Sequence, residues 1–239
     1  MPPRVGPVEV LRAPAKLTRS LRVIGVRDDG YHLIDAEMVS LDLADTLTFD
    51  AEGDGLVVRG LGVEVPLGDD NLVLRALRAV GRTAHVTVDK DIPAGAGLGG
   101  GSADAAAVLR WAGVDDLDLA VRLGADVPFC LLGGRARVTG VGEAVEPLPF
   151  EERTFTLLTP PVHCSTAAVY RAWDELGGPA ADGPNDLEPA ALHVAPELVR
   201  WRDQLGDQTG QTPVLAGSGS TWFVDGAYDG RELVVVHTT

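Results

Sequence analysis

The feature that most constrains this chain is a glycine-rich segment at residues 91–104, which lies between a predicted strand and a predicted helix. Five of the seven residues from Gly95 to Gly101 are glycine. Glycine lets the backbone adopt positive φ and approach a ligand closely. The first turn of a following helix offers free N–H groups and the positive end of the helix dipole, which together bind anions. The segment therefore predicts a phosphate-binding loop, with Ser102 and Asp104 as caps of the helix.

Other interpretations of this segment fit less well. A flexible linker is disfavoured because a strand and an apolar helix bound the glycines. Gly95, Gly97 and Gly100 satisfy the dinucleotide pattern G-x-G-x-x-G, but that pattern directly follows a buried strand. Here three charged residues and a proline intervene. The P-loop pattern fails because no lysine closes the loop. A third kind of nucleotide loop is required.

Composition narrows the classes of partner. The chain has 239 residues, enough for one large domain or two small ones, and its net charge is −15. That charge disfavours nucleic acid and anionic membranes as partners. No apolar run approaches the roughly 18–20 residues that span a membrane, and the N-terminus lacks a signal-peptide layout. Cys130 and Cys164 form no metal or redox spacing, so the cytoplasm is the expected compartment.

The order of predicted elements favours an α+β fold over a doubly wound parallel sheet. In the first half, Asp28-Asp29-Gly30 predicts a hairpin turn. Strands are predicted at 8–24, 33–49, 56–65, 84–88, 130–132 and 135–141, and helices after Asn71, after the glycine loop and at 115–123. A second unit begins near residue 150. It has strands at 154–158, 213–216 and 221–224, a helix at 166–176, and a helix at 187–205 that Pro189 and Pro196 interrupt.

Lys16 and Asp126 are the candidate groups for chemistry. Only two of the twenty basic residues are lysines, Lys16 and Lys90, which suggests that an ammonium is needed at those places. Considered alone, Lys16 is as consistent with a surface lysine as with a catalytic one. Asp126 considered alone is more consistent with an N-cap or turn residue than with a catalytic one. If the two meet, Lys16 holds Asp126 ionised, and Asp126 can accept a proton from a hydroxyl that attacks phosphorus.

Three further features are candidates for ligand contact. Tyr31 and His32 leave the hairpin and can stack on a base and hydrogen-bond to it, or form a plain turn. Tyr170 is equally a core aromatic or a ligand contact. The turn at residues 217–219 is either a close backbone approach to a ligand or a tight hairpin. The histidines show no ligand spacing, so no zinc site is expected.

Together these motifs resemble the superfamily of galactokinase, homoserine kinase, mevalonate kinase and phosphomevalonate kinase, known as the GHMP kinases. Within it they resemble the branch that acts on 4-diphosphocytidyl-2-C-methyl-D-erythritol. The matching segments follow the order of the family and cover most of the chain: residues 13–17, 27–32, 70–76, 92–107, 123–129, 185–189 and 216–220. The glycine loop alone specifies the superfamily. The Pro-Ala-Lys, Asp-Gly-Tyr-His and Gly-Ala-Asp-Val-Pro segments indicate the branch.

The resemblance implies a two-domain α+β fold with the active site between the domains. Residues 1–150 would form an ATP-binding domain of the ribosomal protein S5 domain 2-like type, and residues 151–239 a smaller, ferredoxin-like substrate domain. It also implies ATP with Mg²⁺, and transfer of the γ-phosphoryl group to the 2-hydroxyl of a small cytidyl diphosphate substrate on the non-mevalonate route to isoprenoid precursors. It does not indicate an oligomeric state.

The resemblance also assigns roles by position. Lys16 and Asp126 match the catalytic pair. Positions that match ATP contacts are Asn71, Lys90, Pro93, Gly95, Gly97, Leu98, Gly99, Gly100, Gly101 and Ser102. Among them Asn71 and Lys90 lie towards adenine, and Ser102 is the candidate Mg²⁺ ligand. Positions that match substrate contacts are Thr18, Tyr31, His32, Thr166, Tyr170, Gly217 and Ser218. Tyr31 and His32 match the cytosine site, Tyr170 an aromatic on the other face of the base, and Thr166 the substrate diphosphate.

Two departures from the family pattern leave alternatives open. Thr18 replaces the usual asparagine two residues after the catalytic lysine and lacks its paired donor and acceptor; Arg19 follows it. The C-terminal part is short, and the usual helix after Val224 shrinks to residues 225–230. The alternatives are a relative that phosphorylates another small alcohol, and a nucleotide-binding protein without catalysis.

Overall fold

The computed structural model describes residues 8–60 and 68–239, which form two β-sheets with helices packed against them. The part of the predicted strand 56–65 that begins at residue 61 lies outside the described residues. Within the described ranges, no helix has both the length and the apolar character needed to cross a membrane.

The first sheet is built on a long hairpin. Strands β1 (Val8–Val26) and β2 (His32–Asp50) pair antiparallel along their lengths, and the predicted turn at residues 28–30 joins them. The other edge of β2 carries two strands, β4 (His85–Lys90) and β5 (Arg135–Gly140). Strand β3 (Gly55–Gly60) pairs parallel with β4, and β6 (Ala144–Pro147), which the sequence did not predict, pairs with β5.

Four helices accompany this sheet: α1 (Leu72–Ala79), α2 (Gly100–Ala112), α3 (Leu117–Leu123) and α4 (Val127–Leu132). Asn71 caps α1 as predicted, because its side chain accepts a hydrogen bond from the backbone N–H of Val73 at 2.9 Å. The strand predicted around Cys130–Leu132 is wrong, since these residues end α4. A short apolar run does not distinguish a buried strand from a buried helix, and Pro128 suits a helical first turn.

The second sheet has the order β10-β7-β9-β8, with all pairs antiparallel. Its strands are β7 (Thr154–Leu158), β8 (Val214–Leu215), β9 (Trp222–Asp225) and β10 (Leu233–His237), and its helices are α5 (Thr166–Glu175), α6 (Glu188–Val194) and α7 (Leu198–Thr209). The helix predicted at 187–205 is thus two helices, interrupted at Pro196, whereas Pro189 lies within the first turn of α6. Strand β10 was not predicted, and no helix lies between β9 and β10.

The fold is α+β and has two parts, each built on one sheet. The predicted division at residue 150 falls in the segment between β6 and β7 and stays a prediction. Backbone bonds join the parts: Leu21 on β1 donates to Pro184 and accepts from Asp186, at 2.9 Å in both cases. These bonds hold the middle of the long hairpin against the C-terminal part, where the candidate site lies.

Candidate active site

A cavity of about 1360 Å³ is lined by residues from both parts of the chain. Every residue that the sequence singled out for catalysis or binding lies on its wall. These residues are Lys16, Thr18, Tyr31, His32, Asn71, Lys90, Pro93, Gly95, Gly97, Leu98, Gly99, Gly100, Gly101, Ser102, Asp126, Thr166, Tyr170, Gly217 and Ser218. Their individual roles remain proposals, but the fold brings segments far apart in sequence into one cleft.

The glycine loop has the backbone that its composition predicts. Gly95, Gly97 and Gly99 have φ of +69°, +79° and +70°, values that side chains with a Cβ rarely adopt. Gly99 is the N-cap of α2, which corrects the prediction that Ser102 and Asp104 cap this helix. The helix starts earlier than predicted, so both residues lie inside it. The N-cap has no side chain, which leaves the first N–H groups of α2 directed at the cavity.

Two segments hold the loop from opposite sides. The backbone N–H of Lys16 donates to the carbonyl of Leu98 at 3.0 Å, and that of Thr221 donates to the carbonyl of Ala96 at 3.1 Å. A Cβ at Gly97 would lie 2.6 Å from the carbonyl oxygen of Ala216. The glycine turn that follows β8 therefore packs directly on the glycine loop, and Gly97 leaves no room for a side chain at this contact.

A pair of glycine variants separates the structural from the ligand-binding role of the loop. Gly97→Ala should destabilise the protein by about 2 kcal/mol, because the position has positive φ and no room for a methyl group. At Gly101 a Cβ would meet only Leu72 at 3.5 Å. Gly101→Ala should leave the thermal midpoint unchanged or higher. On the prediction that the loop binds the phosphates of ATP, the variant should also raise the KM for ATP, because a methyl group is added to the first turn of α2. Unfolding scans and steady-state kinetics measure both effects. An unchanged KM for ATP in Gly101→Ala would contradict this role of the loop.

Lys16 and Asp126 meet beside this loop. The Lys16 Nζ lies 3.4 Å from the Asp126 Oδ2, with the two side chains 7% and 32% exposed. Lys16 lies in β1 where the pairing with β2 shifts register on both sides, a β-bulge geometry that frees its N–H to bond to the loop. Asp126 occupies the N-cap position of α4, but its side chain makes no capping bond. Its carboxylate is therefore available to Lys16 and to the cavity.

Thr18 completes the surroundings of the ammonium. Its hydroxyl oxygen accepts a hydrogen bond from the Lys16 Nζ at 3.0 Å, and its side chain is buried. The backbone of Gly217 closes the other side, since a Cβ there would lie 3.5 Å from the Lys16 Nζ. Arg19 points away from this centre and binds Glu37 at 2.6 Å and Glu151 at 3.4 Å. The hydroxyl at position 18 thus orients the ammonium, while Arg19 ties β1 to the segment between the two sheets.

Lys90 has partners that the sequence did not predict. Its ammonium binds the carboxylates of Asp45 and Asp104, the latter at 2.8 Å, and all three side chains are buried. Asp45 also accepts the backbone N–H groups of Asp91 and Ile92, both at 2.8 Å. Burial lowers the pKa of Lys90, but the charges of Asp104 and Asp45 outweigh it and the pKa is raised. This cluster fixes the start of the glycine loop to β2 and to α2.

The cluster predicts a pH dependence of stability. Burial raises the pKa of Asp104 from its ordinary value of 3.8 to about 7. The charge of Lys90 lowers this pKa and the charge of Asp45 raises it. Between these values the folded state binds more protons than the unfolded chain, so this carboxyl destabilises the fold increasingly as pH rises. The thermal midpoint of the wild type minus that of Asp104→Asn should therefore decrease as the pH is raised from 4.5 to 7.5.

The control for this prediction is Asp89→Asn, an exposed aspartate on the same strand as Lys90. Its midpoint difference from the wild type should vary much less over the same range. A difference between wild type and Asp104→Asn that stays constant or grows with pH would contradict the assignment.

Another part of the cavity wall carries aromatic residues. The His32 ring lies 4.7 Å from the Tyr170 ring and 5.5 Å from the Trp173 ring, between centroids. The His32 Nε2 is 2.8 Å from the Asp174 Oδ1. Burial, and then the charge of Asp126, raise the pKa of Tyr170, which keeps its phenol protonated. Tyr31 is mostly exposed and lies over the hairpin turn, where the guanidinium of Arg27 is 6.0 Å from its ring.

Further residues of the cavity wall contribute hydroxyl groups and positive charge. The hydroxyls of Thr166 and Ser218 are 2.9 Å apart, which joins the start of α5 to the glycine turn after β8. Arg75, Arg122 and Arg171 also line the cavity, although the sequence did not single them out. They place positive charge on the wall of this cavity in a strongly acidic protein. Arginines on helix surfaces are common, so no sequence signal distinguished these three.

Comparison with known proteins agrees with this geometry. A family model described as the N terminal domain of GHMP kinases matches residues 71–134, which contain α1, the glycine loop and Asp126. A homoserine kinase structure from Cytophaga hutchinsonii superposes with a TM-score of 0.64 at 17% identity, covering 99% of this chain and 96% of that one. At that identity the match shows the fold alone, and the fold is that of the GHMP kinases.

Closer relatives narrow the class. A 4-diphosphocytidyl-2-C-methyl-D-erythritol kinase from Cereibacter sphaeroides is 40% identical, with 88% of this chain and 87% of that protein covered. A protein of the same name from Paracoccus denitrificans is also 40% identical over 88% of this chain and 84% of its own. A crystal structure of such a kinase superposes with a TM-score of 0.72 at 35% identity, covering 90% and 89% of the two chains. The chain belongs to the 4-diphosphocytidyl-2-C-methyl-D-erythritol kinase family.

Proposed function

We propose that this protein is an ATP-dependent kinase that transfers the γ-phosphoryl group to the 2-hydroxyl of 4-diphosphocytidyl-2-C-methyl-D-erythritol, in the synthesis of isoprenoid precursors. The observation that carries the proposal is the approach of Lys16 to Asp126, at 3.4 Å, beside the open first turn of α2. The names of the relatives supply the substrate. We place the enzyme in the cytoplasm, where its two free cysteines would stay reduced.

The mechanism assigns one task to each group. The glycine loop and the N-terminus of α2 bind the phosphates of ATP through backbone N–H groups. Asp126 accepts the proton of the substrate 2-hydroxyl as its oxygen attacks the γ-phosphorus and the bond to the β-phosphate oxygen breaks, which releases ADP. Lys16 stabilises the charge on the transferring group, and Thr18 holds the ammonium in place.

Ser102 is the candidate protein ligand for Mg²⁺ in this site. The hydroxyl of Ser102, in the first turn of α2, lines the cavity beside the loop. Mg²⁺ prefers oxygen ligands and is often held by one or two protein groups together with substrate phosphates. Ser102 would hold the ion together with the ATP phosphates, and the ion would supply neutralisation of phosphate charge when bound.

The part of the cavity wall formed by His32 and its aromatic neighbours is proposed as the cytosine site. His32 is held on the wall of the cavity by contacts with Tyr170, Trp173 and Asp174. Tyr31, next to it, is exposed and available to stack on a base. The hydroxyls of Thr166 and Ser218 also lie on the cavity wall, and we propose that they contact the substrate diphosphate.

This placement predicts a selective kinetic effect. His32→Ala should raise the KM for the cytidyl substrate by about tenfold or more, because a base contact is lost, while the KM for ATP changes little. Initial rates with each substrate varied at saturating levels of the other measure both constants. Equal increases in the two KM values would contradict a role of His32 in binding the base.

A second reading is a nucleotide-binding protein without catalysis. Thr18 in place of asparagine and the missing helix between β9 and β10 favour it. The paired Lys16 and Asp126 argue against it, because a protein that only bound nucleotide would have no use for this pair. A relative acting on another alcohol has no need for the His32 site.

The test is release of ADP from Mg-ATP with and without the cytidyl substrate. The proposal predicts ADP release that depends on the substrate and saturates with it. Binding of ATP without substrate-dependent turnover would support the non-catalytic reading. Turnover with methylerythritol phosphate or homoserine, but not with the cytidyl substrate, would assign the enzyme to another branch.

A further inference from the structure

We propose that Asp174 determines base specificity by fixing the tautomer of His32, so that the site accepts cytosine and rejects uracil. This inference rests on the proposed function, and it concerns a residue that makes no contact with the reacting groups. Asp174 would act through His32 and is a positioning residue.

The contact between His32 and Asp174 joins β2 to α5. His32 is the first residue of β2, and Asp174 lies in the last turn of α5. The His32 Nε2 and the Asp174 Oδ1 are 2.8 Å apart, with the histidine side chain 8% exposed and the aspartate side chain 50% exposed. The contact spans 142 positions in the sequence, so the packing of α5 against the hairpin end brings it about.

The chemistry of the pair follows from what each group can donate. An ionised carboxylate only accepts hydrogen bonds, so the ring nitrogen facing Asp174 must carry the hydrogen. A neutral imidazole has one N–H, and its other nitrogen is then an acceptor. Asp174 therefore keeps Nε2 protonated and leaves a lone pair on the Nδ1 of His32. Within residues 8–60 and 68–239 this Nδ1 has no hydrogen-bond partner.

The aromatic neighbours hold the ring in this orientation. The Tyr170 ring lies against one side at 4.7 Å with an interplanar angle of 34°. The Trp173 ring meets it edge-on at 5.5 Å and 84°. The Trp173 Nε1 is itself held by a hydrogen bond to the carbonyl of Pro179 at 3.0 Å. A ring held on two sides and by one hydrogen bond presents its free nitrogen in a fixed direction.

A fixed acceptor distinguishes the two pyrimidines. Cytosine carries an amino group at C4, a donor, whereas uracil carries a carbonyl oxygen there, an acceptor, as thymine does. The Nδ1 lone pair of His32 can accept from the cytosine amino group but repels the uracil oxygen. Sites with positioned polar groups reject analogues that leave those groups unpaired. Without Asp174 the imidazole can move its hydrogen to Nδ1 and bond to the uracil oxygen.

Four proteins test the inference: wild type, Asp174→Ala, Asp174→Asn and Glu175→Ala. Asp174→Asn removes the charge but retains an oxygen that accepts from Nε2–H. Glu175→Ala is the matched control, because Glu175 is exposed, is adjacent on α5 and does not line the cavity. The first readout is the tautomer of His32 in the free proteins, measured by long-range ¹H–¹⁵N correlation and assigned with the help of His32→Ala. The second is the ratio of kcat/KM for the cytidyl substrate to that for its uridyl analogue.

We expect the Nε2–H tautomer in the wild type and in Glu175→Ala, and a mixture of tautomers in Asp174→Ala. The cytidyl-to-uridyl ratio should fall by about tenfold or more in Asp174→Ala, stay near the wild-type value in Glu175→Ala, and lie between them in Asp174→Asn. The Nδ1–H tautomer in the wild type, or an unchanged ratio in Asp174→Ala, would overturn the inference and leave the proposed function intact. Absence of turnover with the cytidyl substrate in the wild type would overturn the proposed function and this inference with it.

Discussion

Replacement of Asp126 by asparagine is expected to lower kcat by about 10³-fold, because the side chain can no longer accept the proton of the attacking hydroxyl. The carboxylate makes no capping bond to α4 and is 32% exposed, so the variant should fold. Asparagine has the same shape and can still accept a hydrogen bond from Lys16. Steady-state kinetics with both substrates at saturation measure the loss, and a thermal scan checks the fold.

The useful control for this variant is the KM for ATP. Asp126 lies at the start of α4 and not on the glycine loop, so ATP binding should change less than about threefold. A variant that retained most of the wild-type kcat would show that Asp126 is not the proton acceptor. Loss of kcat together with a large rise in the KM for ATP would point to a disturbed phosphate loop instead.

Replacement of Lys16 is expected to lower kcat by about 10²–10³-fold, because the ammonium that stabilises the negative charge of the transferring phosphoryl group is lost. Two variants separate this charge from packing. The aliphatic part of Lys16 lies against the loop, since a Cβ at Gly99 would meet the Lys16 Cγ at 2.7 Å. Lys16→Met retains that contact and removes the ammonium, whereas Lys16→Ala removes both.

We expect both variants to lose kcat to a similar extent and Lys16→Ala also to bind ATP more weakly. Kinetics at pH 7 with each substrate varied measure the two effects. Near-normal kcat in Lys16→Met would mean that the side chain acts through packing on the loop. It would also remove the electrostatic role from the mechanism.

Much of the fold follows from local sequence patterns. The hairpin turn at residues 28–30, the cap of α1 at Asn71 and the strand Thr154–Leu158 are as predicted, because turn chemistry, capping and apolar periodicity act over a few residues. The strand predicted at residues 130–132 was wrong, because three apolar residues fit a buried strand as well as a buried helix. Strand β10 was missed, since it pairs with β7, which lies far away in the sequence. Strand β6 was missed although it pairs locally with β5, because its four residues are too few to show a strand pattern.

The sequence predicts those residues of the candidate site that belong to recognisable motifs. The glycine loop, Lys16, Asp126 and His32 each carry a motif, and the structure brings them to one cavity. The partners that hold these groups carry no such signal. Asp45 lies in the middle of a strand and Asp174 near the end of an amphipathic helix, where aspartates are usually exposed. Their roles depend on the tertiary contacts with Lys90 and His32.

We propose that a phosphoryl group passes from ATP to the 2-hydroxyl of the cytidyl substrate between Lys16 and Asp126. Proton-coupled ³¹P NMR of the wild-type reaction tests it most directly. We expect a new phosphomonoester signal that grows together with ADP, on a product that retains its diphosphate signals. Because the 2-hydroxyl is on a carbon without hydrogen, this signal should show no three-bond coupling to hydrogen. Release of ADP with inorganic phosphate alone, or a phosphomonoester split by neighbouring hydrogens, would contradict it.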